Sequence, residues 1–233
     1  MERKDDRRSG ASAGTATRPT MSKHQVIEFE PKERILEKAR KYVDSVETFL
    51  DEREKAVPLL LKAMKLADGT FKSEIMLVLG SFAKEEVVWP LYETMTDSNE
   101  TEEMRRDAAI HLSVVGSFIK DPQPLIDKLL DEIESPDPER RLHATFALGW
   151  RGNSQAVMPL IARLYDADSR VQETAVNALC NLRDDHILDL LLERLEHGPF
   201  EQKRTILFNL WRFDAKGEKV RDVYIRQVED GDP

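Results

Sequence analysis

A helical-hairpin phrase returns about every thirty residues along this chain, and a chain written in that way cannot gather around one central core. One column reads Leu79-Gly80, Leu112-Ser113, Leu148-Gly149, Leu179-Cys180 and Leu210-Trp211, at spacings of 33, 36, 31 and 31 residues. A second column lies between these marks: Leu59, Leu91, Leu125, Leu160 and Leu190, at spacings of 32, 34, 35 and 30. Each of its members except Leu190 follows a proline. Two columns in step mean two helices per repeat, so the spacing predicts a linear stack in which each unit packs only against its neighbours.

Composition agrees with such a stack. Of the 233 residues 34% are charged and only 7% aromatic, as expected where short units keep a large outer surface and pack through Leu, Ala, Val and Ile. Apolar runs such as Ala56 to Leu61 are far short of the roughly 20 residues that cross a bilayer, so no membrane partner is expected. Arg3, Lys4, Arg7 and Arg8 have no apolar segment behind them, which argues against a secretory signal. The single cysteine, Cys180, falls in the packed Leu-Gly column and reads as a buried thiol; with no second cysteine for a disulfide, the reading is a cytoplasmic protein. The net charge is −9, and residues 1–20 carry five basic against three acidic side chains, so the rest carries −11. A surplus of that sign disfavours nucleic acid as a partner.

Residues 1–20 mix charge with Gly, Ala, Ser, Thr and Pro and hold no large apolar side chain beyond Met1, which predicts a disordered tail; the solenoid is expected over 21–233, with Met21 as an alternative start. Apolar residues from Ile35 to Leu50 recur at helical spacing, predicting one amphipathic helix from Pro31 to about Leu50, with a partner from about Arg53 to Leu66. Asp68-Gly69-Thr70, Asp137-Pro138 and Gly198-Pro199 read as helix stops and starts. The prolines Pro58, Pro90, Pro124 and Pro159 are expected near the start of each second helix, where a missing N–H costs least. The expectation is about six hairpins, ending in a unit over Lys219 to Val228.

The first helices repeat a degenerate phrase: Phe71-Lys72 before Ile75 and Leu79-Gly80, Met104-Arg105 before Ala108 and Leu112-Ser113, Arg141 before Ala144 and Leu148-Gly149, and Val171-Gln172 before Ala175 and Leu179. With Ala156-Val157-Met158-Pro159-Leu160-Ile161, this resembles the HEAT-repeat family, in particular short bacterial repeats of the phycobilisome-lyase-like type, over about residues 53–229. The resemblance implies an all-α, right-handed α-α superhelix. It also implies a ladder of Asp and basic residues between repeats, here Asp68 with Lys72, Asp97 with Arg105 and Asp137 with Arg141, fading where Asp168 precedes Gln172 and where Lys203 has no Asp before it. Exposed pairs of this kind are each worth about 0 to 1 kcal/mol.

Motifs for chemistry are lacking. Gly10-Ala11-Ser12-Ala13-Gly14 has the spacing of a hydrolase nucleophile turn but none of its strand-to-helix setting. None of His24, His111, His143, His186 and His197 is followed by Glu, so the iron-binding pairs of HEAT-like hydroxylases are missing. Asp184-Asp185-His186 reads as a turn and helix cap. Asp97 to Thr101 begins like a calcium loop but has Glu102 where glycine is required and Ala108 where a bidentate glutamate is required. No catalytic residue, metal site or cofactor is assigned.

The remaining signal is the second-helix face. If Val157, Leu160, Ile161 and Leu164 form the core side, Met158, Ala162 and Tyr165 form a second stripe, with Trp89, Glu93 and Thr96 and then Gln123, Asp127 and Leu130 as equivalents. In HEAT-like stacks the second helices line the concave surface. A partner-binding surface is therefore expected at Trp89, Glu93, Asp127, Met158, Arg163 and Tyr165, suited to a basic or apolar helix or peptide of another protein. The competing reading is that these residues pack between repeats, as Trp150 and Trp211 are expected to do. Acidic side chains at the turns, Glu93 to Glu103 and Asp131 to Glu139, extend the surface as an edge that steers a basic partner. The function implied is a non-catalytic, monomeric interaction scaffold. The alternative implied by the family likeness is an accessory subunit of a bilin lyase or isomerase; a DNA glycosylase of HEAT-like type fits poorly with the acidic charge.

Overall fold

In the computed structural model, which describes residues 30–82, 84–182 and 185–229, each regular element is helical. Residues 31–233 group as one unit. The tail expected at 1–20 lies outside the described residues, as does Asp184; the hydrolase-like Gly10 to Gly14 lies there too.

The helices are α1 Lys32–Asp44, α2 Val46–Asp51, α3 Arg53–Met64, α4 Gly69–Phe82, α5 Val88–Thr96, α6 Glu102–Val115, α7 Gln123–Glu132, α8 Pro138–Arg151, α9 Ser154–Arg163, α10 Ser169–Leu182, α11 Asp185–His197, α12 Phe200–Asn209 and α13 Gly217–Glu229. Short 3-10 turns precede α5, follow α6 and join α12 to α13. The single helix expected from Pro31 to Leu50 is broken at Ser45, whose backbone is extended and whose hydroxyl accepts the Thr48 N–H to start α2. Asp137 and Thr101 cap α8 and α6 in the same way. Gly69 opens α4 at φ +50, a conformation that suits only a residue lacking Cβ.

Among the described residues the order makes six hairpins: α1 with α3, then α4, α6, α8, α10 and α12 as successive first helices stacked on one another, followed in the chain by α5, α7, α9, α11 and α13. The core is one ribbon. Ile75, Met76 and Leu79 from α4 correspond to Ala108, Ala109 and Leu112, then to Ala144, Thr145 and Leu148, then to Ala175, Val176 and Leu179, all buried. The small residue after each leucine has a geometric cause: a Cβ on Gly149 would lie 2.6 Å from Ala178 Cα, so α8 and α10 approach almost backbone to backbone. Cys180 occupies the same column, and burial pushes its thiol up to about 12.

Three details of register differ from the sequence reading. Leu60 and Leu191, rather than Leu59 and Leu190, are the fully buried members of the second-helix column; Leu59 and Leu190 are half-buried. Val157 and Ile161 are likewise only half-buried, while Leu160 and Leu164 are buried. Pro90 and Pro124 stand in the first turn of α5 and α7, but Pro58 and Pro159 lie inside α3 and α9, each with one more turn of helix before it. Packing of the flanking apolar residues outweighs the lost N–H bond there.

The ladder is the main correction. Each basic residue reaches forward to the next repeat and not to the Asp before it: Lys72 pairs with Glu100, Arg105 Nη1 with Asp137 at 3.3 Å, and Arg141 with both oxygens of Asp166 at 2.9 and 2.8 Å. The pairs are also not surface pairs, because Arg141 and Asp166 side chains are 13% and 3% exposed. Nor does the ladder fade. Gln172 Nε2 donates to the Asp166 carbonyl at 2.6 Å, and Gln202 Nε2 donates to Gln172 Oε1 and the Leu164 carbonyl, both at 2.7 Å. Gln202, not Lys203, therefore holds the ladder position of the fifth repeat, which puts buried Asn209 in the leucine column and moves Leu210 to the column of Gly149 and Cys180. Asn209 satisfies its amide on Asn177 Oδ1 and the Thr205 carbonyl.

Candidate functional site

The second-helix stripe is exposed where the sequence analysis places it, but it is not continuous. Trp89, Met158 and Tyr165 are 43%, 70% and 66% exposed, so none of them fills an inter-repeat core. Trp89 projects from α5, Met158 from α9 and Tyr165 from the turn that follows α9; α7 stands between them in the stack and carries Gln123 at the corresponding position. Gln123 donates to Asp127 Oδ1 at 2.6 Å and to Gln155 Oε1 at 2.8 Å, so Asp127 and its neighbours form a polar bridge between two apolar clusters.

Trp89 is the better built of the two. Its ring stands edge-on to Tyr92, with centroids 5.9 Å apart. Tyr92 in turn donates its hydroxyl to Glu132 Oε1 at 2.9 Å, and Glu132 takes two bonds from Arg140 at 2.7 Å each. Burial and the Glu132 carboxylate push the Tyr92 hydroxyl far above its usual range, so it stays a donor. Beside Trp89 lies a notch of about 290 Å³ walled by Val88, Ile119, Pro124 and Leu125, with Glu85, Lys120 and Asp121 at its rim. Glu85 accepts the Lys120 backbone N–H at 3.0 Å, which holds the turn that closes the notch.

Met158 on α9 is open, and in the turn after that helix Tyr165 lies under the Arg194 guanidinium, 4.3 Å from Cζ to the ring centroid. Arg194 itself donates to Gln202 Oε1 at 2.8 Å, which ties this aromatic to the ladder. Arg163 does not join the surface. Its guanidinium donates to the Ile133 carbonyl at 3.0 Å and to Glu134 and Asp166, so it fastens α9 to the preceding repeat. An arginine at the last residue of a helix reaches back along the stack as readily as outward, and helical periodicity does not separate the two.

The acidic edge is largely consumed within the fold. Glu93 faces Lys65 at 3.7 Å, Glu100 meets Lys72, Asp137 meets Arg105, Glu134 meets Arg163, and Arg170 bonds Glu139 at 2.6 Å while facing Glu102 at 3.7 Å. A short groove of about 210 Å³ between Lys65, Lys72, Glu93, Asp97 and Glu100 is correspondingly mixed in charge. Trp150 and Trp211, expected in the structural interior, are 55% and 61% exposed on the first-helix side, an apolar surface the sequence analysis did not assign. Its signal was present in the sequence as large apolar residues five and nine positions after Arg105, Arg141 and Gln202: Ile110 and Val114, Phe146 and Trp150, and Leu207 and Trp211.

Among the described residues, no group of three or more His, Cys, Asp or Glu side chains is placed to hold a metal ion. His143 is buried, and burial holds its imidazole down at about 4. His111 is lowered by burial as well. Among the described residues, no helix is long and apolar enough to cross a membrane.

Residues 126–232 match the family model for HEAT repeats. No curated protein matches the chain. The match does not single out the phycobilisome-lyase-like type, and HEAT repeats in general are protein-interaction scaffolds of a typically non-enzymatic kind. Stacked two-helix units, small residues at the first-helix contacts and a ladder between repeats accompany that match, and residues 126–232 of the chain are HEAT repeats.

Proposed function

We propose that this protein is a non-catalytic scaffold that binds another protein through its second-helix face, with Trp89 as the principal anchor and Met158 and Tyr165 as a second contact point. The observation that carries the reading is Trp89, half out of solvent beside a notch of about 290 Å³ and braced by Tyr92. An exposed tryptophan fixed by packing costs little entropy on binding, which is why such residues dominate interface energetics. The notch has apolar walls with Glu85 and Asp121 at its rim, a chemistry suited to an aliphatic or basic side chain of a helix or peptide. Glu93 and Asp127 belong to the rim of this surface, where they influence association rate more than affinity. Arg163 is left out of it.

The test is a binding comparison of the wild-type chain with Trp89→Ala and Tyr165→Ala, using the partner recovered from native cells and then purified. Each substitution is expected to weaken binding by about 1 to 4 kcal/mol while leaving the melting curve nearly unchanged. Loss of stability with affinity retained in the folded fraction would assign both residues to packing and end this reading.

A further inference from the structure

Reactive sulfur among the described residues is confined to one side chain. Met64, Met76, Met95 and Met104 are each 5% exposed or less, whereas Met158 is 70% exposed. The difference comes from helical position. Met64, Met76 and Met95 lie in the core ribbon, and Met104 Sδ accepts the Ser73 hydroxyl at 3.8 Å between two first helices. On α9, Ala156 and Leu160 are the buried residues, which turns Met158, two positions from each, outward. Gln155 and Ala162, its neighbours one turn away on the same face, are exposed as well, so no side chain of its own helix covers the thioether. Cys180 offers no second reactive sulfur. Its thiol is buried and held protonated by that burial, and the thiolate is the reactive form.

A hydroperoxide oxidises a thioether where it can reach the sulfur lone pair. Sulfur attacks one peroxide oxygen, an S–O bond forms and the O–O bond breaks; sulfur gives up two electrons, and with hydrogen peroxide the second oxygen leaves with both protons as water. Thioether and hydrogen peroxide thus become sulfoxide and water. At a buried methionine the same change would disrupt the core, but at Met158 it alters only the surface. A flexible apolar side chain becomes a polar one, and a partner that covers it must strip water from the new oxygen.

We infer that Met158 is a site of oxidation by hydroperoxides, and that its conversion to the sulfoxide weakens the second-helix contact while leaving the fold intact. The oxidation site stands on exposure alone; the effect on binding rests on the second-helix reading proposed above. Trp89 lies apart from Met158, across the polar bridge of Gln123, Asp127 and Gln155, so oxidation lowers the affinity of the surface without removing its principal anchor. Methionine sulfoxide is returned to the thioether by sulfoxide reductases, which makes the change a reversible one.

The experiment treats the full chain with graded hydrogen peroxide and follows each methionine by peptide mass mapping. Met158 is expected to gain an oxygen at least about tenfold faster than Met64, Met76, Met95 or Met104, with the melting curve unchanged. Equal rates at Met158 and those four overturn the site. Binding is read by fluorescence anisotropy with a labelled amphipathic peptide carrying leucine at i, i+3 and i+7 and lysine elsewhere, the basic and apolar helix that the second-helix reading calls for. Oxidation should weaken the peptide about fivefold or more, a sulfoxide reductase should restore it, and Met158→Leu should bind it equally before and after peroxide. A peroxide effect that persists in Met158→Leu overturns the inference by placing the effect at another residue. Selective oxidation of Met158 with unchanged affinity also overturns it; if Trp89→Ala and Tyr165→Ala still weaken the peptide, the second-helix reading survives that result. No binding at about 100 µM, or an affinity that neither substitution nor oxidation changes, removes the second-helix reading and the effect of oxidation together.

Discussion

Replacing Arg141 by methionine should be among the most damaging single changes outside the apolar core. The guanidinium makes two bonds to Asp166 at 2.9 and 2.8 Å and two more to the carbonyls of Ser135 and Pro136 at 2.9 and 3.1 Å. Asp166 sits 3% exposed at the junction of two repeats, so removing the arginine leaves a buried carboxylate with only the Asp168 N–H at 2.9 Å and the longer 3.4 Å contact to Arg163. Breaking a buried pair from one side costs about 3 to 5 kcal/mol, which at roughly 2 to 4 °C per kcal/mol for a unit of this size lowers the melting temperature by about 6 to 20 °C. Thermal and urea melts followed by circular dichroism measure it. Adding Asp166→Asn to Arg141→Met removes the stranded charge and should recover part of the loss, giving a non-additive double-mutant cycle. Glu74→Gln is the control: Arg40 and Glu74 are just as close, at 2.6 Å, but 46% and 39% exposed, and breaking them should cost less than about 1 kcal/mol. The pair also sets an acid limit. Burial by itself would raise the Asp166 carboxyl, but Arg141 and the Asp168 N–H outweigh it and hold it below the usual range. A depressed folded value means that this stabilisation is complete above the unfolded value of about 3.9 and is lost as pH falls through the folded one. Equal small losses for Arg141→Met and Glu74→Gln would refute the argument that burial, rather than distance, decides what these pairs contribute.

Leu148→Ala, at a fully buried side chain between α8 and its neighbours, should cost about 2 to 5 kcal/mol in a urea titration. Gly149→Val should destabilise by at least about 1 to 3 kcal/mol, because its Cβ meets the Ala178 backbone rather than a movable side chain; a neutral result in the same titration would mean that α8 and α10 can separate freely. Buried His143, held at about 4 by burial, remains neutral in the fold while the unfolded chain takes up a proton below about 6.5. Its contribution should therefore reduce stability progressively from pH 6.5 down to 4, by up to about 3 kcal/mol, and His143→Phe should flatten that part of the melting-temperature profile. Gln202→Ala should cost about 1 to 3 kcal/mol by leaving the Gln172 amide and the Leu164 carbonyl without their donor, whereas Lys203→Ala, one residue on, should be nearly neutral.

What was legible in the sequence was whatever repeats. Helix periodicity, the thirty-odd-residue phrase and the capping residues are local properties, and they determined the hairpins, the all-α class and the likeness to HEAT repeats without any knowledge of which surfaces meet. That Trp89, Met158 and Tyr165 stand off the core side was legible in the same way, but whether they face solvent or the next repeat was decided by the tertiary structure. Tertiary structure decided everything that depends on how far one repeat is displaced along the next. An arginine has enough reach to find an acid in its own turn or in the following repeat, so the ladder's forward pairing, its burial at Asp166 and the inward use of Arg163 could not be settled by spacing. The one-residue shift that puts Gln202 on the ladder and Asn209 in the leucine column arises because an amide satisfied by the neighbouring repeat can replace a charge or a leucine at little cost. Trp150 followed the same rule in reverse: beside a helix end, a large apolar side chain faces either the next repeat or solvent, and only the stacking of α8 against α10, close enough to exclude a Cβ at Gly149, left it outside.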